Sequence, residues 1–504
     1  MLGRHVPRWV VGGGNMKSMQ KQTPIWCQPA KRLISTGLVS TALFLGGTAG
    51  STAGCASDPC DDNGDSAICG VLGTRAFSTV PDPEVGRVRW PAVATAQSSI
   101  LIAGEFGLAE VDQRGDIEPL QDFEALDTDD FWTVQPTGIS PPSLDSDGTA
   151  FVVRTGAIVD ALAESGTSLR WSETVTGEAP AGPPALGDGV VHVAMRTEEG
   201  AGRALLSLDA ITGIPVATRE GATQPVLIGE ELAYLNGPRD CGTSYDEVVV
   251  EDGSGNTRFR FSGRSGVRDF APGPEGELYV VTDERTLVRL NERGQVVWTF
   301  EPNCPECTVA AAPTVTDDAV YFPVWEGTPP NTGCEDPDPN FVEGDQEFVD
   351  PLYALRRDGS LMWSYDGFYT LARSSHDLVM SGMLGLVMTE RVQHHPAGRP
   401  IVADDGTLFV PTDGAVVTLD ADGNELGFAL FDPSIGEGKS GMGVFESNTG
   451  TTGGNAPPPV LADDGTLYTW DGMTLRGFAT GKTPAQIPWS APFGGQQNAG
   501  RVVR

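Results

Sequence analysis

The sequence predicts an all-β protein: an eight-bladed β-propeller of four-stranded antiparallel blades, preceded by a signal peptide and a short tether. Three observations carry this. A proline, small or apolar residues, an acidic-Gly pair and a run of β-formers recur in that order along the chain. Most of these stretches are followed by a second alternating apolar run broken by a Gly-containing turn. The repeat length, roughly 40 to 60 residues, suits a propeller blade better than a free-standing domain.

In chain order, the leader comes first. The first 54 residues hold six basic side chains, Arg4, Arg8, Lys17, Lys21, Lys31 and Arg32, and no Asp or Glu. Lys31 and Arg32 lead into "LISTGLVSTALFLGG", the length of a signal-peptide core and short for a bilayer span. Residues 1–54 are therefore expected to be a signal peptide on an exported chain, with translation starting at Met16 or Met19, because the leader counted from Met1 is overlong. The run ends in "STAGCASDPC", which resembles the lipobox of bacterial lipoproteins, with Thr52 where the usual residue is Leu. The resemblance implies a diacylated Cys55 as the only membrane attachment, and Ala56 in place of Asp implies outer-membrane sorting. Ordinary signal-peptidase cleavage, with Cys55 in a disulfide, is the other reading.

Residues 55–75 are expected to form the tether and residues 76–504 the propeller. Seven cysteines lie from position 55 onward, and giving Cys55 to lipid leaves six: Cys60, Cys69, Cys241, Cys304, Cys307 and Cys334. Export permits disulfides. Cys60 and Cys69 are expected to close a loop in the tether; for the other four, Cys307 to Cys334 and Cys241 to Cys304 is the first pairing to test, since connectivity does not follow from sequence. All 68 acidic residues lie from Cys55 onward, in a chain of net charge −35, which excludes nucleic acid as a partner class. An envelope protein, or a polysaccharide, is the expected partner.

The repeats read "WPAVATAQSSILIAG", "PPSLDSDGTAFVV", "PPALGDGVVHVAM", "QPVLIGEELAYL", "APGPEGELYVV", "APTVTDDAVYFPV", "RPIVADDGTLFVP" and "PPVLADDGTLYTW", anchored by Pro91, Pro142, Pro184, Pro225, Pro272, Pro313, Pro400 and Pro459. Each proline is expected at the first residue of a first strand, where no ladder donor is lost. The second halves are "VDALAESGTSLRW", "LLSLDAITGIPVA", "LVRLNERGQVVWTF", "LYALRRDGSLMWSY" and "VVTLDADGNELGF". Period-two apolar runs around Asp-Gly pairs are hairpins, here expected to use type I′ turns. "ADDGTL", at 403–408 and again at 462–467, is on this reading one turn built twice rather than a duplicated cation site.

These second halves, with Trp171, Trp298 and Trp363 closing three of them, resemble the A-L-D-x-x-T-G-x-x-x-W strand pair of the PQQ-like repeat family, and the resemblance extends from about Gly86 to Trp489. It implies that the three tryptophans dock between neighbouring blades; the repeats ending near Ala217, Phe261 and Phe428 lack one. The tail "PWSAPFGGQQNAGRVV" is similar to a segment near the ends of such propellers. The family holds enzymes and scaffolds alike. The likeness is to its non-enzymatic bacterial lipoproteins, such as the propeller subunit of the outer-membrane barrel-assembly machinery.

Sorting the connections assigns a working face. Strand a-to-b and c-to-d turns fall at one end of a blade, b-to-c and d-to-a connections at the other. The long stretches 121–138, 326–350, 366–396 and 431–456 all belong to the second class, as do Cys241, Cys304, Cys307 and Cys334. Insertions gathered on one face mark a binding face.

Other constellations read as structure. "CPEC" at 304–307 lacks a βαβ context for redox chemistry and a following His for haem, and a zinc site from four cysteines is disfavoured in an oxidising compartment. "GEGKSG" at 436–441 has no helix behind it. "DADGNE" at 420–425 has Phe431 where an EF-hand needs Glu, and "DDNGD" at 61–65 misplaces its glycine. No cofactor is expected; calcium finds room only in the acidic run 335–349. His394-His395 and His376-Asp377 lack partners for proton transfer or metal binding. The alternative function is a quinoprotein dehydrogenase of alcohols or sugars, with calcium and PQQ. The chain has no Cys-Cys pair, haem motif, GxSxG or HExxH. The expectation is a non-catalytic, lipid-anchored binding or scaffold module.

Overall fold

The computed structural model describes residues 69–70, 74–79, 93–94, 99–103, 107–122, 140–154, 156–163, 168–187, 189–197, 202–239, 244–303, 307–309, 312–326, 352–373, 389–394, 398–412, 415–430, 459–470, 475–485 and 501–502. They contain strands and turns and no helix.

The strands fall in fours, named a to d within each repeat. Repeat one has Val93–Ala94, Ile100–Ala103, Gly107–Val111 and Ile117–Asp122. Repeat two has Ser143–Leu144, Ala150–Arg154, Ile158–Ala163 and Ser168–Thr174, and repeat three Ala185–Gly187, Val190–Arg196, Arg203–Asp209 and Pro215–Glu220. Repeat four has Ala222–Ile228, Glu231–Arg239, Ser244–Glu251 and Thr257–Phe261, and repeat five Val267–Pro272, Leu278–Thr282, Leu287–Leu290 and Val296–Phe300. Repeat six has Thr314–Val315, Ala319–Glu326, Leu352–Arg356 and Leu361–Tyr365, and repeat seven Ile401–Val402, Leu408–Pro411, Ala415–Leu419 and Glu425–Leu430. Within each, neighbours pair antiparallel in the order a-b-c-d. One bridge, Tyr245 to Val267, joins the sheets of repeats four and five.

Repeat eight supplies only Val460–Leu461, Thr466–Trp470 and Leu475–Ala479. Its fourth strand is Thr74–Thr79, which runs antiparallel to Leu475–Ala479. Cys69–Gly70 pairs with Phe428 and Gly427 on the outer strand of repeat seven. The expected tether boundary at 75/76 thus cuts through a strand, and part of the tether is built into the sheets. The reason is energetic: an outer edge left open exposes a row of unpaired backbone groups, and a short extended segment covers it.

Two further expectations are corrected. Pro272 ends its strand a, five residues after Val267, and Pro225 lies inside strand a of repeat four. Pro225 is tolerated there because the register shifts between Thr223 and Val226, a bulge where no ladder donor is required. The hairpin turns are also of another type, as described below.

Strands a to c are largely buried in most repeats, and Ile100–Ala103, Leu408–Pro411 and Ala415–Leu419 are buried along their whole length. Strand d alternates instead, as in Val296–Phe300 and Leu361–Tyr365. An antiparallel sheet normally keeps one wet face; these lose both because each sheet is packed on two sides. Leu101 and Ala103 of repeat one pack with Leu144 and Val152 of repeat two, and Val153 of repeat two with Val193 of repeat three. The series continues through Leu205 with Leu227, the large cluster spanning repeats four to six, Tyr321 with Val417, and Phe409 with Leu467. Ile100 and Ile102 of repeat one also pack with Ala462, Tyr468 and Leu475 of repeat eight. Each buried Leu, Ile or Phe contributes about 1.5–3 kcal/mol.

Candidate functional site

In every sheet the a-b and c-d turns lie at one end, here the turn end, and the b-c and d-a connections at the other, here the crossing end.

The turn end repeats one local solution. Ala403 N–H donates to the Thr407 carbonyl at 2.8 Å and Gly406 N–H to the Ala403 carbonyl at 3.0 Å. Ala462, Thr466 and Gly465 do the same in repeat eight. This is a type I turn closed by one left-handed residue, a three-residue loop with a G1 bulge, in place of the expected type I′ turn. The residues before the glycine keep negative φ, so Asp-Asp is admitted and only Gly406 (φ +84°) and Gly465 (φ +86°) must be left-handed. Asp405 and Asp464 each accept the N–H of the threonine two residues on, at 3.1 and 2.9 Å. In "DADGNE", Asp420 Oδ1 accepts from Asp422 N–H and Asn424 N–H at 3.0 and 2.8 Å, and Asn424 Nδ2 donates to both carboxylate oxygens. Those hydrogen bonds, first from Asn424, hold the Asp420 carboxyl below its usual range. The acidic turns spend oxygens on their own backbone, and Asp405 and Asp404 also take Lys482 Nζ and Thr483 Oγ1.

The three tryptophans sit at the same end. Trp171, Trp298 and Trp363 each follow a bulge in strand d. Their indole N–H groups donate to the Ala210, Arg357 and Ala421 carbonyls, in the c-d turns of the next repeat, at 2.9, 2.8 and 2.9 Å. Each ring lies between an aromatic of its own strand b (Phe151, Tyr279 or Tyr321) and the turn glycine of the neighbour. A Cβ on Gly213, Gly359 or Gly423 would stand 2.7, 2.8 or 2.6 Å from the indole. In repeat four the equivalent residue is Phe259, against Gly294, and not Phe261.

The crossing end is held by distant residues. Asp269, at the start of repeat five, accepts from Ala312 N–H at 3.0 Å and Arg399 Nη2 at 2.9 Å, residues that lead into repeats six and seven. Its other oxygen takes Phe270 N–H at 2.8 Å. Tyr245 of repeat four and Arg203 and Arg196 of repeat three stand beside this group; burial raises the Tyr245 phenol, and burial followed by Arg203 lowers Arg196. Arg268 donates to Asp283 at 2.8 Å, Arg239 pairs with Asp246 and reaches the Ser265 carbonyl at 2.9 Å, and Arg154 pairs with Asp160. A buried charge is tolerated only when paired and hydrogen-bonded. Through Arg399 this framework reaches the end of the long connection 366–400.

Sequence reasoning missed Asp269 and Arg399, although one carboxylate inside the apolar stretch "VRDFAP" was a usable signal. It also missed a network between repeats three and four. His192 Nδ1 and Ser207 Oγ lie 2.9 Å apart, Arg219 donates to Ser207 at 3.0 Å and to Glu251 at 2.8 Å, and Tyr234 O–H donates to Glu251 at 2.8 Å. Burial, then Arg219, pulls His192 down to about 4, so its imidazole is neutral at pH 7.

Cys55, Cys60, Cys241, Cys304 and Cys334 lie outside the described residues, as do the 335–349 run, "GEGKSG", His376, Asp377 and His395. Cys69 and Cys307 are placed only as strand residues, as is His394, in a hairpin of Phe368–Arg373 with Thr389–His394. A calcium-held quinone needs several converging oxygen ligands. Among the described residues no three His, Cys, Asp or Glu side chains gather to hold a metal ion, and Asp269 is already held by three donors.

No family model matches the chain, and no curated protein matches it. Among solved structures, quinohemoprotein alcohol dehydrogenase ADHIIG from Pseudomonas putida HK5 is 12% identical across 84% of this chain and 79% of that one, with a TM-score of 0.52. The quinohemoprotein alcohol dehydrogenase from Comamonas testosteroni is 12% identical across 82% and 78%, with a TM-score of 0.51. BamB from Moraxella catarrhalis is 13% identical across 81% and 99%, with a TM-score of 0.48. At these identities the two dehydrogenases show the fold alone, a β-propeller.

Proposed function

We propose that the chain is an exported, lipid-anchored, eight-bladed propeller that acts as a non-catalytic binding or scaffold module, taking an envelope protein at its crossing end. The observation that carries this is the asymmetry of the two ends. The described turn-end connections are tight, from Gly229–Glu230 up to five-residue loops such as 252–256, and largely copy one geometry. The connections 123–142, 327–351, 366–400 and 431–459 all leave from the crossing end. Variation confined to one end of a rigid scaffold is the arrangement of a recognition surface. What supports a count of eight blades is that buried residues of repeat one pack with repeat two and with repeat eight.

Cross-linking in intact envelopes tests the reading. Replacing residues 328–350 with a short Gly-Ser linker is expected to abolish capture of the principal partner while thermal unfolding is unchanged; undiminished capture overturns the crossing end as the docking surface. Mass spectrometry of the mature amino terminus is expected to find acylated Cys55. Turnover of an alcohol or sugar in a dye-linked assay, after addition of calcium and PQQ, would replace this function with the dehydrogenase.

A further inference from the structure

The outer strands of the repeats are not protected alike. An outer strand exposes unpaired backbone groups, and natural sheets guard such edges with charge, proline or a covering segment. Repeat one carries Glu118 and Pro119 in strand d, repeat two Arg170 and Glu173, repeat three Pro215, Arg219 and Glu220, and repeat four Arg258 and Arg260. Repeat seven is covered by Cys69–Gly70. The outer strands of repeats five and six, "VVWTF" and "LMWSY", have neither charge nor proline, carry only the bulge that the other outer strands share, and each ends its sheet among the described residues. They expose Val296 by 54%, Val297 by 50%, Leu361 by 51% and Met362 by 37%.

We infer that these two edges take extended strands of a partner polypeptide by β-strand addition. The molecule itself supplies the geometry, since Cys69–Gly70 already pairs with the outer strand of repeat seven. Backbone pairing gives affinity and alternate side chains give specificity in this mode. Charge fixes the chemistry of the occupant. Each unguarded strand is followed at once by an exposed carboxylate, Glu301 after Phe300 and Asp366 after Tyr365, on a chain of net charge −35. The complementary segment is uncharged and apolar at alternate positions over about five residues, the length of a typical strand, with Lys or Arg at the end that meets the carboxylate. This surface lies on the outer strands and is independent of the crossing-end proposal.

Hydrogen exchange on the full chain tests the inference, with the blocked peptide Lys-Thr-Val-Thr-Val-Thr-Lys as probe. At saturation, exchange at the amides of Val296–Phe300 and Leu361–Tyr365 that strand c leaves unpaired is expected to slow at least tenfold. The outer strands of repeats two and four should not respond. A double variant, Val297→Arg with Met362→Arg, should lose the protection, and a probe with Asp in place of both Lys should bind at least tenfold more weakly. Absence of protection in the native chain overturns the inference, and so does equal protection in repeats two and four; both readouts need no variant to fold. If sedimentation shows a dimer that the double variant dissolves, a second copy of this chain fills the edges and the partner assignment is wrong.

Discussion

The turn end and the crossing end use the same residue types for opposite purposes. At the turn end an aspartate serves its own backbone: Asp420 satisfies N–H groups two and four residues away. At the crossing end Asp269 serves other repeats, accepting from residues 43 and 130 positions along the chain. The first arrangement makes each hairpin self-sufficient and therefore repeatable. The second makes the repeats interdependent, and it sits where the connections are longest.

The contrast can be broken most directly by exchanging its two aspartates for alanine. Asp269→Ala removes a carboxylate that takes three hydrogen bonds, one of them from the Arg399 guanidinium, whose side chain is 11% exposed, and is expected to cost about 3–5 kcal/mol in urea unfolding. Asp420→Ala is expected to cost about 1 kcal/mol or less. Equal losses would show that the crossing-end ties are not special.

The next largest effect concerns acid. His192 is held at about 4 in the folded chain against an ordinary 6.5, so between those values the unfolded state binds the extra proton. Stability should be full above pH 6.5 and fall as pH drops toward 4, by on the order of 3 kcal/mol. His192→Gln should flatten that window. Asp147, held at about 2 chiefly by Thr149, acts lower, between 3.8 and 2; a midpoint–pH profile separates the two groups.

Glycine substitutions sharpen the picture of the turn end. Gly255 has φ +79° and nothing within 4 Å of the place a Cβ would take, so Gly255→Ala registers backbone strain alone, roughly 1 kcal/mol. Gly423→Ala adds the clash with Trp363 and should cost about 1–3 kcal/mol more. Equal costs would mean that the indole yields freely. Smallest of all, Arg170→Ala removes an exposed partner of Asp147 at 3.0 Å and should change stability by about 0.5 kcal/mol or less.

Much of this was legible in the sequence. Alternating apolar runs gave the strands, and Asp-Gly pairs gave the turns, because both signals are completed within a few residues. The turn type was misread for a specific reason: Asp405 and Asp464 allow type I′, and only the hydrogen bonds across Ala403–Thr407 and Ala462–Thr466 select the G1 form. Pro272 was misplaced because a proline near a strand looks alike at either end, and the sheet register alone distinguishes them. Asp269, Arg399 and His192 were missed because no local pattern announces the partner of a buried polar group.

By itself the sequence determined that this is a repeated β-structure and where most of its hairpins bend, since backbone preferences and short-range hydrogen bonds are properties of adjacent residues. Only the tertiary structure decided that Thr74–Thr79 completes the sheet of Leu475–Ala479, which carboxylate meets which guanidinium, and that Cys69–Gly70 covers the outer strand of repeat seven. Those outcomes rest on encounters between residues far apart in the chain, whose free energy exists only once the intervening loops have closed.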